Sequence, residues 1–130
     1  MAPKKIVLFL SLVIGNYYLN LVLGTKDIFV SKTANDSFYK SELEDILNEL
    51  EINELYIAGC ATDFCVDSTV KSALNKDYKV TVIEDGHTTA TRPHIDVQTT
   101  IKHYNWLWAD MTPTRYRIEV KKVKDLTGLI

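Results

Sequence analysis

The stretch Gly59-Cys60-Ala61-Thr62-Asp63-Phe64-Cys65-Val66 decides how this chain is read. Before it, Leu55-Tyr56-Ile57-Ala58 runs into Gly59 as an unbroken apolar segment, which reads as a buried strand ending on glycine. After it, Val66, Val70, Ala73 and Leu74 recur at helical spacing, so a helix is expected to begin at about Cys65. The stretch is therefore a strand-to-helix turn with a cysteine at the helix N-terminus. Unpaired amides and the helix dipole favour an anion there, so a thiolate is stabilised. The same amides can face the oxyanion of a tetrahedral intermediate. Cys65 is accordingly a candidate nucleophile. Cys60, at the strand end, reads as a small buried apolar residue.

Outward from the turn, strands and helices alternate. Lys79-Val80-Thr81-Val82-Ile83 reads as the next strand. Upstream, Ile28-Phe29-Val30 reads as a strand end before a polar loop, Thr33 to Asp36. Ser41-Glu42-Leu43-Glu44 has the form of a capping box, and Leu43, Ile46, Leu47 and Leu50 fall on one helical face behind it. Downstream, Pro93 opens an expected helix whose inner stripe is Val97, Ile101, Tyr104 and Trp108. Tyr116, Ile118 and Val120 alternate with Arg117 and Glu119, as in a strand with one solvated face. This order predicts parallel strands joined by right-handed crossovers. The expected fold is α/β, a three-layer αβα, Rossmann-like arrangement with helices on both faces of a mostly parallel sheet. Its site belongs beyond the carboxyl ends of the strands.

Composition narrows the function. The chain has 130 residues, enough for one domain. Hydrophobic residues make up 46% and charged residues 25%, which excludes a disordered chain, and a net charge of −2 gives no basic footprint for nucleic acid. Two cysteines five positions apart do not form a secreted disulfide framework. His87, His94 and His103 lie in separate turns and no C-x-x-C spacing is present, so neither a metal nor a cofactor is expected.

Residues 1–24 form an atypical hydrophobic segment, followed by a domain over 25–130. Lys4-Lys5 and the apolar run from Ile6 to Ile14 have the shape of a signal-peptide core. The polar break at residues 16–20 suits a membrane-crossing helix poorly. Three readings stand: a core strand over residues 6–12, a signal or anchor, or a sequence foreign to the rest. Without a signal, the expected location is cytoplasmic.

The run from Gly59 to Val70, with Ala73 and Tyr78-Lys79-Val80-Thr81-Val82-Ile83-Glu84-Asp85, resembles the isochorismatase-like cysteine hydrolases, which include nicotinamidases and N-carbamoyl amidohydrolases. Val30-Ser31-Lys32, Ser37-Phe38-Tyr39 and the helix to Leu50 extend the likeness upstream. His94 to Trp108 and Thr112-Pro113 extend it downstream, so that it covers about residues 25–122. The resemblance implies an Asp-Lys-Cys triad in which Cys65 is the nucleophile and Lys32 the lysine. It also implies a cis bond between Cys60 and Ala61, and an oxyanion hole formed by the amides of Ala61 and Cys65. It departs from the family at the catalytic aspartate, which comes at the end of the first strand; here Ser11 stands where the carboxylate is wanted, and no Asp precedes Asp27. The family's N-terminal side thus looks truncated. The expected function is hydrolysis of a small amide-like molecule through Cys65, weakened or lost without the aspartate. The alternative is a non-catalytic remnant or regulatory subunit associating with a complete relative. A small-molecule substrate and a homo-oligomer are the expected partners, with no nucleic acid, and no membrane unless residues 1–24 act as signal or anchor.

Overall fold

The computed structural model describes residues 4–10 and 27–126. Seven elements follow one another: β1 (Lys5–Leu10), α1 (Leu43–Glu49), β2 (Glu54–Cys60), α2 (Asp67–Asn75), β3 (Lys79–Thr88), α3 (Val97–Asp110) and β4 (Glu119–Lys121). The strands form one sheet in the order β1-β2-β3-β4, and every pairing is parallel. This is the α/β class expected from the alternation of elements.

Neighbouring parallel strands that follow in chain order, joined by right-handed crossovers, place their helices on one face. The side chains agree. Ile6, Leu8 and Leu10 of β1, Leu55 and Ile57 of β2, and Val80 and Val82 of β3 pack with Leu43 and Leu47 of α1, Val70, Ala73 and Leu74 of α2, and Trp108 of α3. On the second face Tyr56, Ala58 and Ile83 pack together with Leu126, which follows a 3-10 turn at Val123–Asp125. Val7 and Phe9 alternate with the inward residues of β1 and are 43% and 45% exposed.

Several local expectations are corrected. Residues 28–30 are not a strand, and Ile28 and Phe29 are exposed. The Ser41 capping box does not close: Ser41 Oγ accepts from Leu43 N at 3.3 Å, while Glu44 pairs with Lys76 at 3.1 Å. A tertiary ion pair thus replaces the local cap. On α1, Leu43 and Leu47 are buried but Leu50 lies beyond the helix and is 40% exposed. α3 starts at Val97, not at Pro93, because the Asp96 carboxylate accepts from Thr99 N at 2.7 Å and caps it there. Its buried positions are Thr100 and Trp108, with Tyr104 and Leu107 against the core; Val97 and Ile101 are only half-buried. β4 is three residues long, with the buried Ile118 just before it. The expected strand over residues 6–12 is present as Lys5–Leu10. Residues 11 and 12, and the rest of the segment to 24, lie outside the described residues.

Two backbone features position the site. Gly59 has φ of +132°, and a Cβ there would lie 2.0 Å from the Leu10 carbonyl oxygen. Only glycine lets β2 close so tightly on the end of β1. On the other side, β2 and β3 keep register from Glu54↔Lys79 to Ile57↔Val82, and then jump to Gly59↔His87 and Cys60↔Thr88. Residues 84–86 therefore bulge away from β2, and the returning His87 lands beside the turn that follows β2.

Candidate active site

β2 leads through a cis Cys60–Ala61 peptide bond into one wide, π-type turn, Thr62–Val66, and then into α2. Cys65 thus sits one turn ahead of α2 rather than as its first residue, which the sequence spacing alone did not separate. The Ala61 carbonyl accepts from both Phe64 N and Val66 N at 3.1 Å. Those two amides are consumed; the amides of Ala61 and Cys65 are not taken by that carbonyl. The Cys65 side chain is buried, with 1% of its surface exposed.

Lys32 reaches this thiol from 33 residues away. Its Nζ lies 3.2 Å from Cys65 Sγ, 2.7 Å from the Ala34 carbonyl oxygen and 3.2 Å from that of Asn35. An ammonium has three N–H donors and no acceptor. Two carbonyls and a sulfur fill those donors, so the sulfur is presented with positive charge. Asn35 Oδ1, at 3.8 Å, is the acceptor for the thiol when it keeps its proton. The loop carrying Lys32 is pinned to α2 through the buried Thr69, whose hydroxyl lies 3.0 Å from both Ser37 N and Ser37 Oγ and 3.4 Å from the Asn35 carbonyl. Thr69 is on the first turn of α2, four residues beyond Cys65, so the start of α2 ties the lysine loop to the turn that carries Cys65.

Carboxylates near the turn are committed elsewhere. Asp63 takes Arg92 Nε at 2.9 Å, Arg92 Nη2 at 3.0 Å and Thr89 Oγ1 at 2.6 Å. The guanidinium holds its carboxyl down at about 2 from an ordinary 3.8, so it is a poor proton acceptor near neutrality. Asp67 takes Trp108 Nε1 at 2.9 Å and Lys71 at 3.0 Å. Asp36 caps its own loop at Phe38 N, 2.9 Å away. Among the described residues, the hydrogen-bond partners found at the Cys65 thiol are Lys32 and Asn35. Ser11 lies outside the described residues. Among the described residues no cluster of three metal-binding side chains occurs, and no helix is long and apolar enough to cross a membrane. The Cys60 thiol is pushed above its ordinary range by burial first and by the neighbouring Cys65 second.

Sequence reasoning did not single out the groups that brace the turn. His87, 6% exposed, lies between Thr62 Oγ1 and Asn105 Oδ1, each 2.8 Å from a ring nitrogen. Asn105 Nδ2 donates to the Glu84 carbonyl at 3.2 Å. Its Oδ1 therefore faces His87, so His87 Nε2 donates and Nδ1 accepts from the Thr62 hydroxyl. Only the Asp-Gly-His-Thr bulge, had it been recognised as returning to the sheet, could have signalled this.

Comparisons with known proteins bear on the family and the fold. The Isochorismatase domain model matches residues 18–115. The chain belongs to the isochorismatase family. It is 53% identical over 47 residues to the nicotinamidase of Escherichia coli strain K12, covering 36% of this chain and 22% of that protein. Among solved structures it is similar to an isochorismatase family protein, with a TM-score of 0.73 and 27% identity over 92% of this chain and 72% of the other. It is also similar to the Staphylococcus aureus nicotinamidase SaPncA, with a TM-score of 0.61 and 30% identity over 72% of this chain and 52% of the other. The matched stretches span between 22% and 37% of the length of the curated relatives.

Proposed function

We propose that this chain carries the nucleophile half of a cysteine amidohydrolase for small amides, with Cys65 as nucleophile and Lys32 as the cation that supports its thiolate. The observation that carries the reading is the 3.2 Å approach of Lys32 Nζ to a buried thiol on a strand-to-helix turn. The chemistry follows from that pair. The thiolate sulfur bonds to the carbonyl carbon, and the oxygen gathers negative charge opposite the amides of Ala61 and Cys65. The C–N bond then breaks, and the amine departs with a proton. Water attacks the resulting thioester, releasing the carboxylic acid and restoring the thiol. Similarity to nicotinamidases supports an amide as substrate. A cytoplasmic location and self-association into a homo-oligomer are part of the same proposal.

The proton is the weak point. The amine must be protonated as it leaves, and the carboxylates Asp36, Asp63 and Asp67 are bonded to other groups. A second reading rests on this: a non-catalytic chain that associates with a complete relative. Turnover on a panel of small amides, including nicotinamide and N-carbamoyl compounds, separates the two readings, with Cys65→Ala as the blank. Turnover that vanishes in Cys65→Ala supports the hydrolase. Equal background in both chains supports the remnant.

A further inference from the structure

We infer that Arg92 is a positioning residue for the nucleophile turn: it grips the two residues that precede Cys65, Asp63 and Phe64, and neutralises the Asp63 carboxylate. The inference rests on the reading of Cys65 as nucleophile and deepens it.

Three consecutive residues of the turn are held by one segment, the end of β3 and the loop beyond it. Thr62 is held by His87. Asp63 is held by Arg92 through two N–H groups and by the Thr89 hydroxyl. Phe64 lies under the Arg92 guanidinium, 4.4 Å from its ring centroid. Arg92 Nη2 also donates to Thr89 Oγ1 at 3.1 Å, which closes the cluster. An exposed ion pair is worth little. This one is two-pronged, with the Arg92 and Asp63 side chains only 25% and 14% exposed, and a planar guanidinium fixes direction as well as distance.

Arg92 acts on the thiol in two ways. Mechanically, it fixes the residues on which the direction of the Cys65 side chain depends. Electrostatically, it balances Asp63, two residues from the nucleophile. Without the guanidinium, a carboxylate with one hydroxyl donor is left two residues from the proposed nucleophile, and like charges oppose each other. Sequence alone suggested neither effect, because Asp63 and Arg92 are 29 positions apart.

The test is the rate of Cys65 alkylation by iodoacetamide against pH, with Cys65 distinguished from Cys60 by mass spectrometry. It compares the unaltered chain with Arg92→Met, Arg92→Lys and the double variant Asp63→Asn/Arg92→Met. Arg92→Met is expected to move the midpoint of the profile up by about half a pH unit, which slows alkylation roughly threefold below the midpoint. Arg92→Lys keeps the charge but loses the two-pronged bond, and is expected to fall between the two. The double variant removes both charges and is expected to bring the midpoint back. Circular dichroism reports whether each variant is folded; should Arg92→Met fail to fold, the shift in Arg92→Lys carries the test. A folded Arg92→Met with the unaltered profile overturns the inference. So does a shifted midpoint that Asp63→Asn does not bring back, because Arg92 then only props the fold. If Cys65 in the unaltered chain reacts no faster than Cys60, the nucleophile reading falls and this inference falls with it, an outcome visible before any variant is made.

Discussion

Gly59 and Lys32 are constrained by different physical requirements, and each gives a prediction. Gly59 has no room for a Cβ, since the Leu10 carbonyl oxygen would be 2.0 Å away, and its φ of +132° is strained for any other residue. Gly59→Ala is expected to separate β1 from β2 at their carboxyl ends and to destabilise the chain by about 3 kcal/mol or more, read as a lower urea midpoint. An unchanged midpoint would mean that β1 does not press on Gly59. Lys32 fills its three donors with two carbonyls and the sulfur. Lys32→Met leaves those carbonyls unpaired and removes the charge beside the thiol. Alkylation of Cys65 near neutrality is expected to slow by about tenfold, with Cys60 unaffected. The residue scale also shows what the sequence could not reveal. Lys32 was legible only through a resemblance, because a loop lysine has no periodicity to mark it. Asn35, Thr69 and His87 carry ordinary side chains whose role depends on contacts 25 to 34 positions away.

Elements whose burial repeats along the chain were legible. β2, α2 and the first half of β3 follow their apolar patterns, as does the parallel order of the sheet. Elements set by one tertiary contact were not. The β3 bulge at residues 84–86 looks like a loop in sequence, yet the chain resumes pairing with β2 at His87. α3 begins where Asp96 caps it, although Pro93 is the stronger local cue. Trp108 ties α3 to α2: it is fully buried and its Nε1 donates to Asp67 at 2.9 Å. Trp108→Phe keeps much of the apolar contact but orphans that acceptor, at an expected cost of about 1–3 kcal/mol in urea unfolding. His87 links β3, α3 and the Thr62–Val66 turn. Burial pulls its pKa below the ordinary 6.5, opposed more weakly by the Asn105 hydrogen bond and the Glu84 charge; Thr62 and the Trp108 ring edge are its other close neighbours. The unfolded chain then binds the proton more readily than the folded one. The His87 contribution is fully present above the unfolded value of 6.5 and is lost as the pH falls below it. The urea midpoint is therefore expected to drop between about pH 7.5 and about pH 5, with a smaller drop in His87→Asn. Equal drops in the two chains would assign the effect to other groups.

At the scale of the whole molecule, the described chain is a four-stranded sheet with its helices on one face and part of an apolar second face, Val7 and Phe9, open. The match to the nicotinamidase of E. coli spans 22% of that protein. A hydrolase needs more than a nucleophile. On the proposed reading Lys32 supports attack by Cys65 on a carbonyl, but an ammonium that donates to two carbonyls and a sulfur has no lone pair with which to accept the thiol proton and carry it to the amine. Asp63, held at about 2 by Arg92, does not accept a proton near neutrality either. Loss of one general acid–base group typically costs about 10²- to 10⁴-fold. Amide turnover by this chain is therefore expected to be at least about a hundredfold below that of the E. coli nicotinamidase assayed beside it on nicotinamide. An activated thioester, whose leaving group departs without a proton, is expected to acylate Cys65 at a rate close to that of the relative. Comparing the two substrates isolates the proton: a deficit on the amide alone locates the defect in leaving-group protonation, whereas equal turnover of nicotinamide would refute it and show that a carboxylate reaches Cys65 after all.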